Sequence, residues 1–229
     1  SDELGELLDR AEAGLDSAPR DSFAASVVRV GRREWSKARR VPAELRAEIA
    51  RVTSLAERAW EDARERADFA AFLPHLERVI ELKRRYIECF DGYDEPYDVL
   101  LDDFEPGMKT AEVRAVFDDL KAELVPLIAE IGSVEGDDAF LSGPWPIDAQ
   151  HAYSLEIIKR FGFDESFARL DLTVHPFAAS SGTQDIRLTT RYKEDDITSI
   201  FTAMHECGHG LYEHGVSPSL ERTPLCHGV

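Results

Sequence analysis

Apolar residues return every third or fourth position through roughly the first 130 residues, the period of an α-helix. Pro42 suits a first helical turn. After it, Leu45, Ile49, Val52, Ala56, Ala59, Trp60 and Ala63 draw one stripe along a long helix. A second stripe runs through Phe69, Phe72, Leu73, Leu76, Val79, Ile80, Lys83, Tyr86 and Ile87, with Asp68 as its candidate N-cap. Trp60, Phe69 and Phe72 on these stripes read as core. Asp91 to Tyr97 and Glu105-Pro106-Gly107 are loops, and Thr110 can cap a helix running to about Ile131. Pro126 should kink or interrupt that helix. Ser142-Gly143-Pro144-Trp145-Pro146 breaks the pattern before another helix over Asp148 to Arg160.

The texture then changes. Leu170 to Val174 and Ile186 to Tyr192 alternate with period two, and Ala178 to Thr183 between them reads as a turn. These are two strands of a small antiparallel sheet. The second strand feeds into a helix marked by Ile197, Ile200, Phe201, Met204, Leu211 and Tyr212, with Asp195 and Asp196 before its start and Gly215 as its stop. The expected fold is mainly α. A helical body occupies residues 1–165 and a small antiparallel sheet plus one helix occupies 166–229, together one partial domain of 1–229.

Composition narrows the partners. The chain has 229 residues, 43% hydrophobic, enough for a substantial core. Its net charge of −18 disfavours a nucleic-acid partner. The basic run Arg32-Arg33 to Lys37, Arg39 and Arg40 alternates with Trp35 and Ala38 and reads as a solvated helix face. Three cysteines, Cys89, Cys207 and Cys226, make no disulfide framework and point to a reducing cytoplasm. Ser1-Asp2-Glu3-Leu4 has neither the basic nor the apolar region of a signal peptide, and no apolar run is long enough to span a membrane.

The chemistry concentrates in His205-Glu206-Cys207-Gly208-His209. On a helix, His205 and His209 stand one turn apart on one face, so both imidazoles can reach one metal ion. Glu206, beside the first ligand, can take a proton from metal-bound water. Gly208 and Gly210 each cost roughly 1 kcal/mol of helix propensity relative to Ala. That local penalty beside the two histidines suits a functional site better than simple packing. Cys207 turns away from the face shared by the histidines and reads as a small packed hydrophobe.

Several strings now match one family in order and spacing. The chain resembles the Taq-type thermostable metallocarboxypeptidases through His175-Pro176-Phe177 (an HPF motif), Asp185-Ile186-Arg187-Leu188-Thr189 (D-x-R-x-T) and His205 to His209 (H-E-x-x-H). Tyr97 to Met108 and Asp68 to Leu76 are similar to that family too, so the resemblance covers nearly the whole chain. It implies a helical fold with a zincin-like groove, a zinc or cobalt ion at its base, peptide substrates losing their C-terminal residue, and a homodimer. On the matching positions, His205 and His209 would be metal ligands and Glu206 the general base. His175 and Arg187 would line the groove and bind substrate, and Asp185 would brace its surroundings.

The departure from the family is the third ligand. A catalytic zinc site uses three protein ligands. The family's third is a Glu in a later His-Glu-Ser motif, beyond Leu225-Cys226-His227-Gly228-Val229, as are an Arg motif and a last motif rich in Gln, Asp, His and Trp. The chain thus resembles the N-terminal and central part of a longer enzyme and should be weak or inactive by itself. A metzincin site would have glycine at 212 and histidine at 215, where Tyr212 and Gly215 stand. His214 is one residue out of phase, and Glu213, Glu221 and His227 are the local alternatives. A different reading is a non-catalytic fragment or degenerate homologue acting through self-association or protein binding.

Overall fold

The computed structural model describes residues 2–134, 136 and 139–226. It is mainly helical with one small sheet and forms two compact units. The first is Ser1–Ala18 with Val28–Glu135, and the second is Pro19–Val27 with Gly136–Gly228.

The first unit is all-helical. Its elements are α1 (Asp2–Ala13), most of α2 (Phe23–Arg40), α3 (Ala43–Glu65), α4 (Phe69–Ile87), the short α5 (Pro96–Leu101) and α6 (Thr110–Gly132). The Asp68 carboxylate accepts the Ala71 N–H at 3.0 Å and starts α4, as its position predicts. The core lies between α3 and α4, where Val41, Leu45, Val52 and Leu82 are buried and Ile49, Val79 and Tyr86 pack on them. The face of α4 that turns inward carries Leu82, not Lys83, which is exposed. Phe69 is 63% exposed and Trp60 and Phe72 are only half-buried, so these aromatics are not core. Pro126 lies inside α6 without ending it.

The basic run on α2 is a clamp. Arg32 pairs with Asp9 and Glu12 of α1. Lys37 reaches Asp102 and Asp103 at 2.6 Å each, Arg33 bonds Asp102, and Arg40 bonds Asp91. Arg32 and Arg39 also lie over the Trp35 ring. The cations that sequence alone assigns to a solvated face are therefore largely engaged. An i, i+3/i+4 pattern shows which residues share a face but not which acids another segment brings to it.

Asp98 organises the α5–α6 connection. It is buried, and its carboxylate accepts the Thr110 N–H and hydroxyl and the Asp94 and Glu95 N–H groups. The Thr110 hydroxyl, followed by these backbone donors, holds its pKa far below the usual carboxylate range. One acid thus caps two helices.

The second unit carries α7 (Ile147–Phe161), β1 (Ala168–Leu172), β2 (Ala178–Gly182), β3 (Asp185–Thr190) and α8 (Thr198–Gly215). Helix α7, grouped with the helical body on sequence texture, belongs to this unit. The sheet corrects the expected pairing. It has three strands in the order β1-β3-β2 and is mixed: β1 runs parallel to β3, and β2 antiparallel to it with an irregularity between Ser180 and Gly182. The Ala178 to Thr183 stretch expected as a turn is mostly the strand β2. Its small residues carry little β-propensity, and pairing with β3 overrides that. Ile158, Phe163, Ala168, Ile186, Leu188, Ala203 and Cys207 form the core between α7, the sheet and α8.

Candidate metal centre

Helix α8 is positioned by a buried polar network at its start. The Gln150 side chain donates to the carbonyls of Trp145 (2.8 Å) and Lys193 (2.7 Å) and accepts from the Ser199 hydroxyl (2.5 Å). Thr190 at the end of β3 donates to the Ser199 carbonyl. Gln150, Thr190 and Ser199 are all buried, so these bonds are unscreened by water and fix where the helix begins. Asp196 accepts the Thr198 N–H at 2.6 Å, which places an acid at the helix start as the sequence suggests.

The buried stripe of α8 is Ser199, Ala203, Glu206, Cys207 and Gly210. Gly210 sits against the sheet. A Cβ added there would come within 2.7 Å of Leu188 Cδ2 and 2.8 Å of Ile186 Cγ2. Helix and strand are therefore as close as a glycine permits. Gly208 has open space around its Cα. Of the two helix-weakening glycines, Gly210 is explained by packing on β3, not by proximity to the histidines.

His205 and His209 lie on the exposed side. Their rings meet edge to face, with the two Nε2 atoms 3.2 Å apart. A metal bound by two imidazoles at about 2.0–2.1 Å in tetrahedral geometry separates their nitrogens by roughly 3.3–3.4 Å. The side chains stand within about 0.2 Å of that edge, a spacing that two ligands of one metal ion and a hydrogen-bonded imidazole pair share. Glu206 is 7% exposed and lies on the rim of the buried stripe nearest the histidine face. Cys207 is buried in the core, and burial pushes its thiol pKa up, as for a packed neutral group.

Among the described residues, no three His, Cys, Asp or Glu side chains are placed to share one metal ion. The local candidates for a third ligand have other partners. Glu213 accepts the Ser180 hydroxyl at 3.0 Å. His214 bonds the Thr183 carbonyl at 2.7 Å and stacks on Phe167. Glu221 accepts the Thr183 hydroxyl and N–H, which lower its pKa. His227 lies outside the described residues.

The HPF and D-x-R-x-T motifs are joined by Thr189. Its hydroxyl accepts the Phe177 N–H (2.7 Å) and donates to the Phe177 carbonyl (2.9 Å), while its own N–H bonds that carbonyl. Thr189 is a positioning residue that sequence reasoning quotes without a role. Its place opposite Phe177 depends on β2 pairing with β3. His175 is exposed in the pinned loop between β1 and β2. Arg187 sits two residues from Asp185 and on the same side of β3, opposite the face of Ile186 and Leu188 that packs on α8. Its guanidinium is paired with Asp185 at 2.6 Å, which lowers the pKa of that carboxyl.

A cavity of about 570 Å³ belongs to the first unit, lined by Arg33, Lys37, Arg40, Asp98, Asp102 and Lys109 among others. Each of its cations has an acidic partner, so it offers no net anion site.

The family model for carboxypeptidase Taq (M32) metallopeptidases matches residues 1–229. Carboxypeptidase 1 of Bacillus subtilis is 36% identical over 232 residues, covering 100% of this chain and 46% of that protein. Thermostable carboxypeptidase 1 of Thermus thermophilus is 38% identical, covering 96% of this chain and 46% of that protein. The crystal structure of BsuCP superposes with a TM-score of 0.91 at 35% identity, over 98% of this chain and 45% of that one. The Pyrococcus furiosus carboxypeptidase structure superposes with a TM-score of 0.83 at 36% identity, over 99% and 46%. The chain spans a little under half the length of the relatives it matches.

Proposed function

The chain belongs to the carboxypeptidase Taq (M32) metallopeptidase family, and on that premise we propose that it is the part of a metallocarboxypeptidase carrying two metal ligands and the general base. His205 and His209 hold a divalent metal, zinc or cobalt. When bound, the metal supplies Lewis acidity, lowering the pKa of a water and polarising the scissile carbonyl. Glu206 takes a proton from the attacking water on a carboxylate oxygen and returns it to the departing amine. Substrates are peptides, which lose their C-terminal residue. His175 and Arg187 line the groove and contact the peptide. The exposed Arg187–Asp185 pair opens to a peptide at small cost, since such pairs contribute about 0–1 kcal/mol.

The third ligand comes from the portion of the relatives' length that this chain does not span. Residues 1–229 are then one partial domain of a cytoplasmic, homodimeric enzyme. Alone, the chain binds zinc weakly and turns over little or no peptide, because a missing carboxylate removes both a bond and charge compensation.

The 3.2 Å approach of the two Nε2 atoms carries this reading. Calorimetric zinc titration tests it. One weakly bound ion per chain is expected, lost in both His205→Ala and His209→Ala and retained in Glu206→Gln. No uptake at millimolar zinc would refute it, and self-association without zinc would favour a non-catalytic fragment. Peptide turnover by this chain, abolished in Glu206→Gln, would overturn the assigned need for a third ligand.

A further inference from the structure

We propose that Gly208 is a positioning residue of the metal site: lacking a side chain, it keeps open the flank of the ion opposite Glu206, where a carboxylate donor completes the coordination. This role rests on the reading above of His205 and His209 as metal ligands. Nothing described in the chain itself calls for glycine at 208. Its backbone is ordinary α-helix, and a Cβ there would meet no atom within 4 Å. Glycine weakens a helix interior, so the position carries a cost with no packing return. Gly210 differs, because Ile186 and Leu188 leave no room for a larger residue.

The helix geometry supplies the reason. At about 100° per residue, His205 and His209 stand about 40° apart around α8, and an ion held by both lies over the middle of that arc. Glu206 is then about 80° to one side and Gly208 about 80° to the other. The two histidines are separated by about 6 Å along the axis, so the line between their imidazoles runs mainly along the helix. Opposite edges of a tetrahedron are perpendicular. The two remaining positions of a tetrahedral ion therefore straddle the helix, one over each flank. The Glu206 flank belongs to water, which the general base must reach. The Gly208 flank is left for the third donor. Phe201 and Tyr212 share that flank and are 63% and 61% exposed. They lie about 10 Å before and about 6 Å after Gly208 along the axis, so the glycine is the gap between two rings. An anionic oxygen suits the gap, because two neutral imidazoles leave the ion's charge uncompensated and the Glu206 carboxylate repels a second anion from the other flank. Among the described residues none supplies this donor, so a free carboxylate can probe the position.

The test loads the 229-residue chain with cobalt(II), titrates in acetate and follows the visible d–d absorption. The parent should show a saturable change at one acetate per ion. Gly208→Leu adds a helix-favouring side chain at an exposed position with open space, so the fold is kept, which circular dichroism checks. It should bind cobalt within about twofold of the parent but acetate roughly tenfold or more weakly, since side chain and acetate compete for one flank. Gly208→Ala should fall between, and Glu206→Gln should keep the acetate response. An undiminished response in Gly208→Leu, no response in a cobalt-loaded parent, or loss of the response in Glu206→Gln alone would overturn the proposal. Loss of cobalt itself in a folded Gly208→Leu would also overturn it, by placing residue 208 over the imidazoles instead of beside them. A parent that takes up no cobalt refutes the metal centre, and the role of Gly208 with it. Normal uptake with an equal acetate response in all variants refutes only the role of Gly208.

Discussion

Gly210→Ala and Gly208→Ala should have opposite effects on stability although they lie one residue apart on the same helix. Each substitution gains about 0.8–1.0 kcal/mol of helix propensity. At Gly208 nothing lies within 4 Å of the new methyl, so the gain stands and the variant is stabilised by about that amount. At Gly210 the methyl falls 2.7 Å from Leu188 Cδ2 and 2.8 Å from Ile186 Cγ2, where carbon contacts prefer about 3.5–4.0 Å. Both neighbours are 1% exposed and sit in the core of the second unit, so they have little room to turn away. Overpacking of this kind costs roughly 1–3 kcal/mol. The net effect is a loss of about 0–2 kcal/mol, and the gap between the two variants is about 1–3 kcal/mol. That gap is the more secure quantity, because helix propensity cancels in it. Urea denaturation followed by circular dichroism, with amide exchange of α8 and β3 as a local readout, measures both. If Gly210→Ala proves as stabilising as Gly208→Ala, the helix is not seated on β3 as closely as described, and the packing account of this glycine fails.

The remaining predictions concern other parts of the chain. Thr189→Val removes the side-chain bonds to Phe177 and should cost about 1–3 kcal/mol, with faster amide exchange at Phe177 and Ala178; unchanged exchange there would show that the HPF loop is held otherwise. Cys207→Ala should leave zinc affinity unchanged while lowering stability by about 1–2 kcal/mol, read by calorimetry and urea titration on one preparation. Asp98→Asn should lower the denaturation midpoint of the first unit. The folded pKa of Asp98 is depressed, so its contribution is complete above the unfolded value of about 4 and is lost as pH falls below it. The deficit of the variant should therefore shrink on acidification, and a deficit constant from pH 7 to pH 3 would show that the carboxylate charge is not what caps α5 and α6. Lys37→Met should destabilise the first unit by an amount that decreases with added salt, since Lys37 bridges Asp102 and Asp103.

Local spacing determined what could be read from the sequence alone. An i, i+4 pair of histidines on a helix converges whatever surrounds it, so His205 and His209 were legible, and so were the helices, the Asp68 cap and the Gly215 stop. The three motifs in order were enough to identify the family before any coordinate. Sequence could not say which strands pair, because pairing is set by which segments meet across the sheet. Thus β1 and β3 are parallel neighbours and the apparent turn at Ala178 is β2. For the same reason the clamp made by Arg32, Arg33, Lys37 and Arg40, the seat of Gly210 on Ile186 and Leu188, and the hold of Thr189 on Phe177 belong to tertiary structure. Each joins positions far apart in sequence, and only the packed chain brings their atoms within bonding or contact distance.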